Sequence, residues 1–276
     1  GNDITLSFTA SEVIGTPVVT FQSGGAAITD GSIVYANTSG NTWAATYTAN
    51  TSDTDGSVSY SIAFSDTAGN AGTAVTSGTG TVTTNTSSPT LSGVSIASNN
   101  STKTLAKAGN DITLSFTASE VIGTPVVTFQ SGGAAITDGS IVYANTSGNT
   151  WAATYTANAS DTDGSVSYSI AFSDTAGNAG TAVTSGTGTV TTNTSAPTLS
   201  NVSIASNNAN SSKALPTDIV TLSFTASETI QSPTVTFYSG GASVSGDVSV
   251  SNTSGNSWIA LFKAASNDTA GPLTYN

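Results

Sequence analysis

The sequence repeats itself. Residues 1–87 return as residues 109–195, a period of 108, with one difference: Thr51 against Ala159. A third and more diverged copy follows, marked by TLSFTASE at Thr221–Glu228, NTSGNSW at Asn252–Trp258 and DTAG at Asp268–Gly271. A fixed period of this length constrains the architecture before any local reading does, because each copy must be one folding unit used several times. The chain has no cysteine, so no disulfide staples the unit and its stability must come from a core, which 108 residues are enough to build.

Within the middle copy the apolar residues alternate with polar ones. Ile112, Leu114, Phe116 and Ala118 form one such set, Trp151, Ala153 and Tyr155 a second, and Val166, Tyr168, Ile170 and Phe172 a third. Period 2 marks strands with one buried face. Shorter apolar groups complete seven predicted strands, over Leu91–Ile96, Asp111–Ala118, Thr124–Gln130, Ser140–Ala144, Thr150–Ala157, Ser165–Ser173 and Thr181–Thr192. Turn-forming runs separate them: SGG at Ser131–Gly133, NTSGN at Asn145–Asn149, DTDG at Asp161–Gly164 and DTAGN at Asp174–Asn178. Seven short strands with such punctuation predict an all-β fold of tandem immunoglobulin-like seven-strand β-sandwiches. Pro89 and Pro197 set the boundaries. Residues 1–87 are a repeat lacking its first strand, 88–195 a complete repeat, and 196–276 a repeat truncated at its sixth strand. The expectation is that the polypeptide continues in both directions; strand exchange between subunits is the alternative.

Composition excludes several functions. Charged residues are 7% of the chain and Ser plus Thr about a third, so hydroxyls and amides carry solubility. The only basic residues are Lys103, Lys107, Lys213 and Lys263, and the net charge is −12. Nucleic acid and anionic membranes, which bind through clustered Lys and Arg, are therefore not expected partners. Without His or Cys the usual general base and the strongest nucleophile are missing, and the first copy has no lysine; no enzyme is expected. Lys103, Lys107 and Lys213 fall between the first and second predicted strands, read as an exposed, tolerant loop. Trp43, Trp151 and Trp258 alternate with core residues and are assigned to the core.

FSDTAGNAGT at Phe172–Thr181, followed by a Thr-rich strand and the linker TSAPTL at Thr194–Leu199, resembles the immunoglobulin-like repeats of large bacterial and archaeal cell-surface proteins. That resemblance implies an extracellular, cell-surface location and a structural role, as an adhesin stalk, a surface-layer (S-layer) element or a surface filament. The alternative is a glycan- or partner-binding module for cell adhesion. Neighbouring repeats, other copies of the chain in a filament or lattice, and glycans are the implied partners. In many such repeats a linker Asp helps bind calcium, whereas the matching positions here are Asn85 and Asn193.

Calcium, which takes six to eight oxygen ligands, is the candidate cofactor because the acidic residues sit mainly at strand ends. The end of the sandwich facing the incoming linker gathers Glu120, Asp174 and Asn178 in the middle copy, Glu12, Asp66 and Asn70 in the first, and Glu228 in the third. Asp111, Asp161 and Asp163 collect at the opposite end. The plainer reading is that Asp174 caps a turn, Gly177 supplies a positive φ, Asn178 bonds locally and Glu120 is solvated. Asn37, Asn145 and Asn252 begin N-x-Ser sequons at the same loop of each copy and are the candidate glycan acceptors.

Overall fold

The computed structural model describes residues 1–29, 31–136 and 140–276. It divides into two compact units, Gly1–Thr194 with the first two copies and Ser195–Asn276 with the third. Among the described residues every regular element is a strand.

The middle copy shows the complete arrangement. Its strands are β1 (Leu91–Ser98), β2 (Leu105–Ala106), β3 (Asp111–Ala118), β4 (Val126–Ser131), β5 (Ala134–Ala135), β6 (Val142–Ser147), β7 (Thr150–Thr156), β8 (Gly164–Ala171) and β9 (Thr191–Thr192). They form two sheets, ordered β6-β7-β3-β1 and β5-β4-β8-β9-β2. In the first sheet β3 and β7 pair antiparallel from Asp111↔Thr156 to Thr117↔Thr150, with Phe116 opposite Trp151. That register turns every second side chain of both strands inward. Ile112, Leu114, Phe116, Ala153 and Tyr155 are thereby buried with Val127, Phe129 and Ile170 of the facing sheet in one core. The Phe129 and Tyr155 rings meet at 4.7 Å, tilted by 44°. Burying each large apolar side chain contributes about 1.5–3 kcal/mol, so this layer dominates the stability of the copy. The outward positions hold threonines that pair across strands, Thr113 with Thr154 at 2.9 Å and Thr117 with Thr150 at 3.2 Å.

Three expectations are corrected. Strand β6 runs on to Ser147 through a bulge between Asn145 and Ser147, because Asn145 pairs opposite Trp151 and the turn needs only Gly148 and Asn149. The segment expected as one strand over Thr181–Thr192 is broken. It touches Ile170 at Val183, crosses to Ser95 at Thr187, and returns to Ser165 at Thr191. The glycines permit this: a Cβ on Gly186 would lie 2.4 Å from the Val94 carbonyl oxygen, and one on Gly188 2.3 Å from that of Ile96. The lysine-bearing loop contains β2, whose Ala106 is buried and which pairs parallel with β9. Lys103 and Lys107 themselves are exposed.

One tyrosine joins the sheets at their open side. The Tyr143 hydroxyl on β6 accepts a bond from the Val127 backbone N–H at 2.9 Å and donates to the Val127 carbonyl at 3.4 Å. It therefore covers backbone groups that β5, only two residues long, does not reach. Tyr35 bonds Val19 in the same way in the first copy.

The third copy keeps the first sheet, with Leu199–Ser206, Ile219–Ala226, Ser257–Lys263 and Val248–Ser254 in that order. Its drift shows in the backbone. Gly93 and Gly109 of the middle copy have φ +60° and +84°; Asn201 and Thr217 take their places at +51° and +83°. Asn tolerates the left-handed region, but a β-branched residue there is strained. Thr217→Gly is expected to stabilise the third copy by about 1 kcal/mol, the relief of strain outweighing the added freedom of the unfolded chain. The check is its melting midpoint, and a midpoint that stays or falls refutes the strain at Thr217.

Candidate functional site at an interdomain joint

Residues 85–89 connect the first two copies inside the first compact unit, and polar side chains from both copies hold them. On the side of the first copy the DTDG turn supplies Asp55. Its carboxylate accepts from the Thr86 backbone N–H at 2.7 Å, the Thr86 hydroxyl at 2.8 Å and the Ser87 hydroxyl at 2.7 Å.

On the side of the middle copy two loops act together. The Asn85 side-chain amide donates to Glu120 Oε2 at 2.9 Å. Asn178 Nδ2 donates to the Asn85 backbone carbonyl at 2.8 Å and to Asp174 Oδ2 at 2.8 Å, one bond for each of its two hydrogens. Asp174 is 5% exposed and orders the turn that presents Asn178. Its Oδ1 accepts from the backbone N–H groups of Ala176 at 2.9 Å and Asn178 at 2.8 Å, while Gly177 takes φ +98°. A bridge between Ile122 and Asp174 brings the loop carrying Glu120 alongside. Pro89 is fully buried, and Thr90 and Ser119 exchange bonds at 2.9 and 3.0 Å.

The first copy builds the same turn. Asp66 accepts from Ala68 N–H at 2.9 Å, Asn70 N–H at 2.8 Å and Asn70 Nδ2 at 2.7 Å, and Ile14 bridges Asp66. Glu12 is exposed. The turn is thus formed by its own sequence, and the linker is an added partner in the middle copy. In the third copy Glu228 is half-buried.

The plain reading of this loop accounts for Asp174 and Gly177 as drawn, but not for Glu120, which is half-buried and bonded to the linker. Sequence reasoning placed Asn85 beside Glu120, Asp174 and Asn178, and the structure brings these four together. It did not find Asp55 or the serine and threonine it holds, because nothing local ties positions 55 and 86.

The acidic residues of the opposite end are also engaged. Asp53, 6% exposed, accepts from Thr29 N–H at 3.0 Å and Asn50 N–H at 2.8 Å. Asp163 accepts from Thr194 N–H at 2.6 Å, as Asp55 does from Thr86. Asp111 accepts from the Thr156 hydroxyl at 2.8 Å. Among the described residues no three or more His, Cys, Asp or Glu gather as a metal ion would require.

The bonds set the ionisation of the joint. The Ser87 hydroxyl, followed by Thr86, holds the Asp55 carboxyl below its ordinary value. Burial alone would push the Asp174 carboxyl up, but the bonds from Asn178, Gly177 and Ala176 outweigh it and hold it down. A depressed folded pKa contributes stability that is complete above the unfolded value of about 3.9 and is lost as pH falls through the folded one. Asp55 and Asp174 therefore hold the joint as ionised carboxylates at neutral and mildly acidic pH.

The candidate sequons, expected in a loop, lie instead at the end of β6 and of its counterparts Val34–Ser39 and Val248–Ser254, because the strand runs on through its bulge. Asn37 Nδ2 donates to the Gly40 carbonyl at 3.0 Å and Asn252 Nδ2 to that of Gly255 at 2.7 Å, closing the turn. Trp258 is buried in the core of the third copy, and Trp151 packs half-buried on that of the middle copy.

No protein-family model and no curated protein sequence matches the chain. Among solved structures, a three-immunoglobulin-domain segment of titin with Glu-to-Ala substitutions aligns at 12% identity over 98% of this chain and 84% of its own, with a TM-score of 0.42. The full ectodomain of mouse nectin-like molecule 4 aligns at 12% identity over 94% of this chain and 84% of its own, with a TM-score of 0.31. The fold assignment rests on the sheets themselves: the chain is a tandem of immunoglobulin-like β-sandwiches.

Proposed function

We propose that this chain is a non-catalytic structural repeat of an extracellular surface protein, in which whole domains are added in series to set length. The observation that carries this reading is the linker between the first two copies, gripped from both sides by Asp55, Glu120 and Asn178. A joint of this kind serves an array, and a unit used for length can be duplicated almost unchanged, as residues 1–87 and 109–195 are. The hydroxyl-rich, charge-poor composition supports an extracellular place. Among the described residues no helix is long and apolar enough to cross a membrane. A stalk, a surface layer and a filament are the forms such an array takes, with other copies of the chain as lateral partners in the last two.

Immunogold labelling of intact, unpermeabilised source cells with an antibody raised against the middle copy is expected to decorate the outer surface. Label found only after permeabilisation would overturn the reading. Retention of a defined oligosaccharide by the purified chain on a glycan array would favour the adhesive module in its place.

A further inference from the structure

We propose that the joint between the first two copies is a latch closed by side-chain amides, which fixes the two domains without a bound cation. The inference deepens the structural reading above and rests on it only in taking the joint as the working part.

A calcium site is made of oxygens that point at one empty position, with six to eight of them around it. Here the oxygens point at hydrogens. Glu120 Oε2 is met by the Asn85 amide, Asp174 Oδ2 by the Asn178 amide, and the Asn85 carbonyl by the second hydrogen of that same amide. Asp174 Oδ1 already receives two backbone N–H groups. Asp174 Oδ1 has both lone pairs taken, the other three oxygens have one each taken by an N–H, and among the described residues no third carboxylate joins Glu120 and Asp174 to approach the six to eight ligands the ion needs. The donor set therefore does not fit the ion.

What the geometry does fit is a relay. The Asp174 carboxylate orients the Asn178 amide, the amide holds the linker carbonyl, and the linker's own amide returns a bond to Glu120 on the neighbouring loop. Bonds to charged acceptors are stronger than neutral ones, and here both carboxylates receive N–H donors that the fold itself supplies. Asn178 is a positioning residue in this scheme, since it touches the linker backbone and its own orientation is set by Asp174. Asp55 closes the other side, so that Asn85, Thr86 and Ser87 are each bonded to one of the two domains.

The test uses the full chain, which has no native cysteine. Nitroxide labels on Ser59→Cys and Ser167→Cys, exposed sites at matching positions of the two copies, report the distance between the domains by double electron–electron resonance. The expected result is one narrow distance distribution, the same in excess calcium and in excess EDTA. Asn178→Ala is expected to broaden it at least twofold. Asn85→Ala, which removes only the bond to Glu120 and leaves both turns intact, is expected to broaden it with no change in melting midpoint, and it carries the test if Asn178→Ala weakens its own turn. A distribution that narrows only when calcium is added overturns the latch, as does one that both substitutions leave narrow. Absence of surface labelling together with a narrow, calcium-independent distribution would overturn the functional reading and leave the latch standing.

Discussion

Phe116→Ala is expected to destabilise the middle copy by about 3–5 kcal/mol, which for a domain of this size lowers its melting midpoint by roughly 15–30 °C. Phe116 lies near the end of β3, 1% exposed, in register with Trp151 and inside the same core as Ile122 and Phe172. Its ring fills the space between the sheets. Truncation removes the transfer energy of the ring and leaves a cavity that strands paired on both sides, β7 and β1, cannot collapse to fill. Differential scanning calorimetry of the full chain should show one component moving down while the component of the third copy, which belongs to a separate compact unit, stays in place. A loss under about 1 kcal/mol would mean that the core relaxes around the gap, contrary to the close packing of this layer.

Gly164→Ala is expected to cost about 2–4 kcal/mol, from strain and overpacking together. Gly164 ends the DTDG turn at φ +142°, a conformation that side chains rarely adopt. A Cβ there would stand 2.8 Å from Gly132 Cα, while one on Gly132, itself at φ +56°, would stand 2.5 Å from the Asp163 carbonyl oxygen. Two glycines thus press two turns together where any side chain would part them. The third copy repeats the contact, with 2.6 Å from a Cβ on Gly271 to Gly240 Cα. Because Asp161 and Asp163 share this turn, the substitution should also displace the carboxylate that receives Thr194. Urea denaturation measures the effect, and a midpoint within experimental error of the parent chain would show that the two turns are free to separate.

The strands with long alternating faces could be read directly. Ile112, Leu114 and Phe116 sit where their period places them, and so do Ala153 and Tyr155, because a half-buried strand writes its own burial into every second residue. Turn runs such as DTDG and DTAGN were equally legible, since their backbone chemistry is local. The break in the last strand was not. Thr187 leaves one sheet to meet Val94 and Ile96, and only the presence of those neighbours decides it. Strand β2 escaped notice because two residues paired at long range carry no period. At the joint, spacing and topology gathered Asn85, Glu120, Asp174 and Asn178, but oxygen-rich side chains alone do not say whether hydrogens or a cation will face them. That depends on which way two amides turn.

The parallel contacts along the last strand have a mechanical meaning. Chain enters the middle copy at β1 and leaves it after β9, and both ends are tied to each other: Ile96 and Val94 exchange bonds with Thr187 at 3.0 and 2.8 Å, and Thr104 and Ala106 accept from Thr191 and Asn193 at 2.8 Å each. The two paths run in the same direction, so tension applied through the linkers drags them past one another lengthwise. The two bonds at Thr187 load together on β1, and the two at Thr191 and Asn193 load together on β2 behind it. A hairpin pulled from its open end would instead peel one bond after the next. The order in which this fold closes its edge therefore makes the entry and exit strands a shear clasp.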